Sequence, residues 1–289
     1  MLFKTIKPLL CDGAIGTELL KQTDQKIPEI LNLTHPELVK KLHSDYINAG
    51  SDIITTNSFG ANYPRLRNII KDFGEVDIYK INKLSAQIAN EVKSKDKLLF
   101  GSVGPTGLKP EDDEFRKIGD YFTEQILGLR DGGADIILIE TMIFTDEMKI
   151  AFEIAKRETD LPIAVSMSFK IINGQIYTYT GVDFNVAVKE MLNLGANIIG
   201  ANCGEGFAEM VEIAKFLKSL AGDIPVLIQP SAGKPRKVGK SLIYPDIPEK
   251  ISPYVEKLIE IGINIIGGCC GTTPEHIKVM RRIIDEKFK

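Results

Sequence analysis

The sequence lacks the residues that several protein classes depend on: it has no tryptophan, three histidines and four cysteines among 289 residues. Four cysteines are too few to stabilise a secreted protein of this size through disulfides. No apolar run reaches the roughly 18 residues of a membrane helix, and the apolar N-terminal stretch is too short and interrupted for a signal peptide. These absences predict a cytoplasmic protein, in which clustered cysteines are more often metal-binding or catalytic than structural.

An excess of charge of one sign is also missing. The 36 basic and 39 acidic residues give a formal net charge of −3. Such a balance provides no general attraction for nucleic acid or for an anionic membrane. Hydrophobic residues make up 44% of the chain and charged residues 26%, which excludes the disordered and fibrous classes.

Eight short segments rich in Ile, Leu and Val recur along the chain, and each is bounded by Gly, Pro, Asn or Asp. Near-continuous apolar runs of this length are typical of strands buried on both faces, as in a parallel sheet. The segments cover residues 8–12, 51–57, 97–103, 134–141, 162–169, 196–203, 225–231 and 263–270.

Longer stretches with helical spacing lie between these segments, and several end near a glycine, as helices often do. They cover residues 36–50, 186–196, 209–222, 252–263 and 273–288, the last opening with Thr273 as N-cap and Pro274 at the first helical position. The strand centres recur about every 36 residues, the size of a βα unit. Eight units predict an α/β protein with a single (β/α)8 TIM barrel over residues 1–289, with a doubly wound open sheet as the alternative.

Polar and sulfur-bearing residues stand at the ends of the predicted strands, where barrels of this class carry their active sites. Asp12, Asn57, Glu140 and Cys203 end four of the strands, and the pair Cys269–Cys270 ends the last. The remaining cysteine and the histidines have a different context. Cys11 is expected to pack in the core, and His35, His43 and His276 are expected to be surface or capping residues.

The three cysteines Cys203, Cys269 and Cys270 would meet at one rim of a barrel. Three thiolates suit Zn²⁺, which binds cysteine sulfur at about 2.3 Å, and a three-ligand site leaves a fourth position open for a reacting group. Two alternatives remain. The three residues can be buried small side chains, or Cys269 and Cys270 can form a disulfide that acts as a redox switch.

Six motifs, in order from residue 12 to residue 277, carry a resemblance to a known family. They are DGAIGTEL (12–19), TTNSFGAN (55–62), GSVGPTG (101–107), ET (140–141), GANCGEG (200–206) and GGCCGTTPEHI (267–277). Together they resemble the motif series of the homocysteine S-methyltransferase family, which includes betaine-dependent and cobalamin-dependent enzymes. The resemblance implies a zinc barrel that methylates a substrate thiol, with Cys203, Cys269 and Cys270 as the zinc ligands.

The resemblance also implies that Asp12 and Glu140 hold the amino acid and that Asn202 is a site residue beside the metal. A thiol of pKa about 8.5 is only slightly ionised at pH 7, and zinc deprotonates a thiol that binds to it. Glu140 follows a buried apolar run, which favours a carboxylate that pairs with the ammonium group of homocysteine. The backbone amides of residues 13–17, beginning at Gly13, are candidates for binding the substrate carboxylate; a tight turn is the alternative.

The methyl donor is not specified by any motif. No segment resembles a corrinoid-binding or folate-binding module, and Tyr63, Tyr177, Tyr179 and Tyr244 form no evident cage for a quaternary ammonium such as betaine. The favoured donors are methylcobalamin on a separate corrinoid protein and S-methylmethionine. The basic segment 233–245, with Lys234, Arg236, Lys237 and Lys240, is either a docking site for such a partner or a solvated loop.

Three other functions fit parts of the sequence. The first is a phosphate-binding barrel isomerase or aldolase, which would use the glycine-containing turns at 231–234 and 267–271. The second is a thiol redox sensor without catalytic activity. The third keeps the mechanism and changes the acceptor to another small thiol or a selenol.

Overall fold

The computed structural model describes residues 7–73, 77–239 and 241–289. Eight parallel strands form one sheet, and helices follow each of them along the chain. All eight predicted strand segments are confirmed. Strands β1 to β8 are Leu9–Leu10, Ile53–Thr55, Leu98–Val103, Ile136–Met142, Ile163–Met167, Ile198–Asn202, Val226–Gln229 and Ile265–Ile266.

The predicted helices are also present. In chain order the α-helices of the described residues are α1 Ile15–Leu20, α2 Leu31–Thr34, α3 Pro36–Asn48, α4 Tyr63–Phe73, α5 Ile78–Asn90, α6 Ile118–Asp131, α7 Thr145–Glu158, α8 Phe184–Leu194, α9 Phe207–Ala221, α10 Ser252–Ile261 and α11 Pro274–Lys287. Helices α8 and α10 end at Gly195 and Gly262, whose φ angles of 79° and 82° are left-handed. Thr273 caps α11 as expected.

The sheet closes on itself, which confirms the barrel and excludes the doubly wound alternative. Its strands pair in the order β1-β8-β7-β6-β5-β4-β3-β2. The two ends of this order then meet, because Cys11 forms a parallel bridge with Ile53. The amide of Asp12 donates to the carbonyl of Ile53 (3.0 Å), and the amide of Asp52 donates to the carbonyl of Leu10 (2.7 Å).

The interior of the barrel is filled by side chains from every strand, as expected for a barrel of this size. This inner cluster contains Cys11, Ile53, Phe100, Ile136, Leu138, Ala164, Ile198, Leu227 and Ile265, all buried. Cys11 is therefore a packing residue, as predicted. A second and larger apolar cluster combines helix residues with strand residues such as Ile137 and Ile139, which alternate with the inner set.

Two hairpins rise from the carboxyl ends of the barrel strands. The hairpin after β5 consists of Phe169–Ile172 and Gln175–Thr178, and the hairpin after β7 consists of Arg236–Val238 and Ser241–Ile243. The second hairpin contains most of the basic segment 233–245. Lys234, Arg236 and Lys237 are exposed there, and Lys240 lies outside the described residues. Across the described part of the chain, no helix combines the length and apolar character needed to cross a bilayer.

One expectation about the histidines is wrong. His43 is fully buried rather than a surface or capping residue. It lies on α3, which contacts α1, α2, α5 and α11, so that the helix is covered on more than the single face that its apolar spacing indicated. His35 is exposed, and the ring of His276 bonds to the amide of Thr273 at the start of α11, as a capping residue does.

The burial of His43 gives the fold a pH dependence. Burial lowers the pKa of His43 from 6.5 to about 4, and neither ring nitrogen has a hydrogen-bond partner among the described residues. A histidine whose pKa is lower in the folded state stabilises the fold above pH 6.5, and this stability is lost as the pH falls toward 4.

We expect His43→Leu to remove this pH dependence of the free energy of unfolding, which amounts to at most about 3 kcal/mol between pH 7 and pH 4. Urea unfolding at a series of pH values measures the difference. His35→Gln, at an exposed histidine, is the matched control and should keep the wild-type dependence. Parallel curves for wild type and His43→Leu would contradict the assignment.

Candidate active site

The structure brings the three predicted cysteines together. Their sulfurs lie within 4.8 Å of one another, and Cys203 Sγ is 3.8 Å from Cys270 Sγ. None of the three forms a disulfide. Sulfurs bound to one tetrahedral zinc at about 2.3 Å stand about 3.8 Å apart, so the spacing and the thiol chemistry of this cluster fit the ion.

The loop after β7 holds both cysteine segments in place. The carbonyl of Gln229 accepts a hydrogen bond from the amide of Cys203 (3.1 Å), and the carbonyl of Pro230 accepts one from the amide of Cys269 (2.8 Å). The amide of Ala232 donates to the carbonyl of Cys270 (2.8 Å). Since β7 lies between β6 and β8, this loop links two cysteine segments that are 66 residues apart in sequence.

A tyrosine from each hairpin packs against a glycine that follows one of these cysteines. Tyr179 lies against Gly204, and Tyr244 lies against Gly271. A Cβ atom at either glycine would overlap the tyrosine, and both glycines have positive φ angles, of 70° and 80°. Glycine is therefore required after Cys203 and after Cys270 for the two tyrosines to occupy these positions.

The three thiols differ in pKa and therefore in how readily they ionise. Hydrogen bonds from Cys269 and Cys270 lower the pKa of Cys203 well below its ordinary value. The same contacts with Cys203, together with burial, raise the pKa of Cys270 to about 12 and raise the pKa of Cys269 well above its ordinary value. The cluster therefore carries one negative charge readily, and a divalent cation is the partner that would allow the other thiols to ionise.

Glu140 lies at the carboxyl end of β4 in a dense hydrogen-bond network. Its Oε1 accepts from Ser102 Oγ (2.5 Å), and its Oε2 accepts from Asn202 Nδ2 (2.7 Å) and Thr141 Oγ1 (3.4 Å). Burial raises the pKa of Glu140 to about 7, and the hydrogen bond from Ser102 opposes that rise. Asn202 is buried, and its Oδ1 accepts from Ser166 Oγ (2.8 Å) and from the amide of Thr141 (3.0 Å).

The backbone is strained at two points of this site. Thr141 and Cys203 have positive φ angles of 59° and 62°, which non-glycine residues rarely adopt. The pairing of β4 with β5 also shifts register between Ile139 and Met142, an irregularity of the kind that redirects side chains near active sites. The Asn202 side chain stabilises the strained turn, because it bonds to both the amide and the hydroxyl of Thr141.

Asp12, which follows β1, directs its side chain to the neighbouring strand β2. Its buried carboxylate accepts from the amide (2.7 Å) and the hydroxyl (2.8 Å) of Thr55, and it does not line the cavity beside the cysteines. Burial raises its pKa to about 7. Gly13 does line that cavity, and a side chain at this position would clash with Thr272 and Tyr46.

The cavity at the carboxyl ends of the strands has a volume of about 260 Å³. Its wall includes the three cysteines, Glu140 and the first residues of α1, and none of the described residues that line it is Lys, Arg or His. Sequence reasoning missed several other residues of this wall, because they are neither charged nor sulfur-bearing. They include Thr55, Ser102, Thr141 and Gln229; the first three lie within the motifs of the family resemblance, and Gln229 has only its position near a strand end as a signal.

Comparison with known proteins identifies the family. The family model described as homocysteine S-methyltransferase matches residues 9–284, so the chain belongs to the homocysteine S-methyltransferase family. The chain is 33% identical to methionine synthase of Mycobacterium leprae and to methionine synthase of Mycobacterium tuberculosis, over 92% of its own length in both cases. It spans about a quarter of these relatives, 23% and 24% of their lengths.

Solved structures confirm the fold. The homocysteine methyltransferase MmuM from Escherichia coli, in its metallated form, superposes with a TM-score of 0.77 at 21% identity and covers 97% of both chains. A methyltransferase from Methanosarcina mazei superposes with a TM-score of 0.62 at 15% identity, over 98% of this chain and 95% of that one.

The network around Asn202 predicts a specific loss of stability. We expect Asn202→Ala to lower the free energy of unfolding by at least about 2 kcal/mol, because it removes a buried hydrogen bond to Glu140 and both hydrogen bonds between Asn202 and the strained Thr141. Ser166→Ala, which removes one hydrogen bond to the Asn202 side-chain amide, is the control. It should lower the free energy of unfolding by about 1 kcal/mol. Urea unfolding measures both; equal effects would show that the network does not act through Asn202.

Proposed function

We propose that this protein transfers a methyl group to the thiolate of homocysteine and so forms methionine, with zinc as its cofactor. The observation that supports this most directly is the convergence of three thiols within 4.8 Å on the wall of a cavity that also contains a buried carboxylate. Membership of the homocysteine S-methyltransferase family supports the same reaction.

Cys203, Cys269 and Cys270 are the residues that would hold the metal. When bound, a zinc ion supplies the positive charge that ionises the substrate thiol near neutral pH. The chain's own contribution is to fix the three sulfurs before a ligand arrives. It does so through the backbone hydrogen bonds from the loop after β7 and through the two tyrosines packed on Gly204 and Gly271.

The remaining groups of homocysteine match the other end of the cavity. Glu140 would pair with the ammonium group, and Asn202 would keep the Glu140 carboxylate in position. Ile15, Gly16 and Thr17 form the first turn of α1 and line the cavity. The amides of a first helical turn lack intrahelical acceptors, so they suit the substrate carboxylate. We assign Asp12 to holding Thr55, which lines the cavity, rather than to direct contact.

The cavity volume of about 260 Å³ suits a ligand the size of an amino acid, because it is slightly smaller than the roughly 300 Å³ of the smallest typical ligand pockets. A corrinoid or a folate would not fit inside it and would have to approach from outside. We therefore propose methylcobalamin on a separate corrinoid protein, with the exposed basic hairpin after β7 as the place where it docks, or the small sulfonium S-methylmethionine. Turnover of homocysteine with a donor panel of methylcobalamin, S-methylmethionine, S-adenosylmethionine, betaine and methyltetrahydrofolate would identify the donor.

Phosphate chemistry is the less favoured alternative. A phosphate ligand needs positive charge, yet the lining of the cavity combines Glu140 and three cysteines with no cationic side chain among its described residues. The clustered free thiols also fit a reducing compartment, and we propose the cytoplasm as the location.

Removal of one sulfur tests the metal site. Cys203→Ala should lose the single zinc ion that we expect per wild-type chain, together with all methyl transfer, because two thiols cannot hold the ion in a tetrahedral site. Zinc is measured by elemental analysis, and circular dichroism should show that the barrel is still folded. Cys11→Ala removes a cysteine outside the cluster and should retain one zinc ion. Full zinc occupancy in Cys203→Ala would refute the site.

Neutralising Glu140 tests the amino-acid site. Glu140→Gln keeps the shape of the side chain and removes its charge, so homocysteine should bind about 10- to 100-fold more weakly. Zinc content should stay at one ion per chain, since Glu140 is not among the proposed ligands. An unchanged KM for homocysteine would count against this role.

A further inference from the structure

Gln229, at the carboxyl end of β7, carries a buried hydrogen-bond acceptor without a partner. The side chain is 5% exposed, and its Oε1 has no hydrogen-bond partner among the described residues. Its Nε2 contacts Cys11 Sγ at 3.6 Å, so the amide is held from the nitrogen side. A buried acceptor left unsatisfied is unfavourable, and in a binding site it is commonly completed by a ligand.

The position of Gln229 places it beside the amino-acid site. Gln229 pairs in register with Asn202 on the neighbouring strand β6, and paired residues of parallel strands direct their side chains to the same face of the sheet. Asn202 in turn donates to Glu140. Gln229 and Glu140 both line the 260 Å³ cavity that contains the cysteine cluster.

Glu140 by itself offers too few free acceptor positions for an ammonium group. A carboxylate has about four lone-pair positions, and hydrogen bonds from Ser102, Asn202 and Thr141 already occupy three of those on Glu140. An ammonium group carries three N–H donors. At least one further acceptor in the same cavity is therefore needed, and the free oxygen of Gln229 has two lone pairs available.

We propose that Gln229 Oε1 accepts a hydrogen bond from the α-ammonium group of the thiol substrate and so makes the site selective for amino-acid thiols. This inference rests on the proposed function, in that it takes homocysteine to be the ligand of the cavity. In this arrangement Glu140 supplies the negative charge that pairs with the ammonium group, and Gln229 accepts one of the hydrogen bonds that the ammonium group donates. Thiols without an amino group would leave the Gln229 oxygen without a partner and the Glu140 charge unpaired, and the site would discriminate against them.

The test compares homocysteine with 4-mercaptobutanoate, which is homocysteine without its amino group. Gln229→Met has similar length and no acceptor oxygen, whereas Gln229→Glu keeps an oxygen in its place. Binding of both thiols to the zinc-loaded proteins is measured by isothermal titration calorimetry without any methyl donor, so that the donor's identity does not matter. Zinc content and melting temperature are recorded for each variant.

We expect Gln229→Met to bind homocysteine about 10- to 100-fold more weakly and 4-mercaptobutanoate with wild-type affinity. Gln229→Glu should restore the affinity for homocysteine. Equal weakening for both thiols, or no weakening for homocysteine, would overturn the role of Gln229 while the proposed function stands. If the wild-type protein binds neither thiol, the proposed function itself fails. Should Gln229→Met not fold, Gln229→Asn, which withdraws the amide by one methylene group, makes the same comparison.

Discussion

Closure of the sheet between β1 and β2 is the constraint on which the site depends. The bridge from Cys11 to Ile53 and the hydrogen bonds on either side of it join the first two strands of the chain. Closure brings Gly13 and Thr55 to the same cavity as Glu140 and the cysteines of β6 and β8. In an open sheet the ends of these strands would spread along an edge, and no single cavity would contain thiol, carboxylate and helix amides together.

Two residues of the site have strained backbone conformations, and hydrogen bonds to their neighbours stabilise them. Thr141 and Cys203 hold left-handed backbone conformations at the Glu140 carboxylate and at the sulfur cluster, respectively. Each strained residue has a specific neighbour that fixes it: the Asn202 side chain for Thr141 and the carbonyl of Gln229 for Cys203. The cavity is consequently formed in advance, which reduces the ordering required when a ligand binds.

Much of this arrangement could be predicted from the sequence, and the physical reason is periodicity. Eight apolar runs at a regular interval defined the barrel, and the barrel rule placed Glu140 and Cys203 at one rim. The burial of His43 could not be predicted, because it depends on which helices cover α3. The bonding of Asp12 to Thr55 and the unpartnered buried oxygen of Gln229 depend on side-chain directions, which strand position alone does not determine.

The placement of the cysteines has a consequence for biogenesis. Cys203 follows β6, but its two partners follow β8, the strand that also joins β7 to β1. A nascent chain emerging from the ribosome therefore exposes a single thiol of the cluster until its final strand has been synthesised. The barrel and the cysteine trio are therefore completed by the same strand, so the metal site proposed above could form only after that strand has been added.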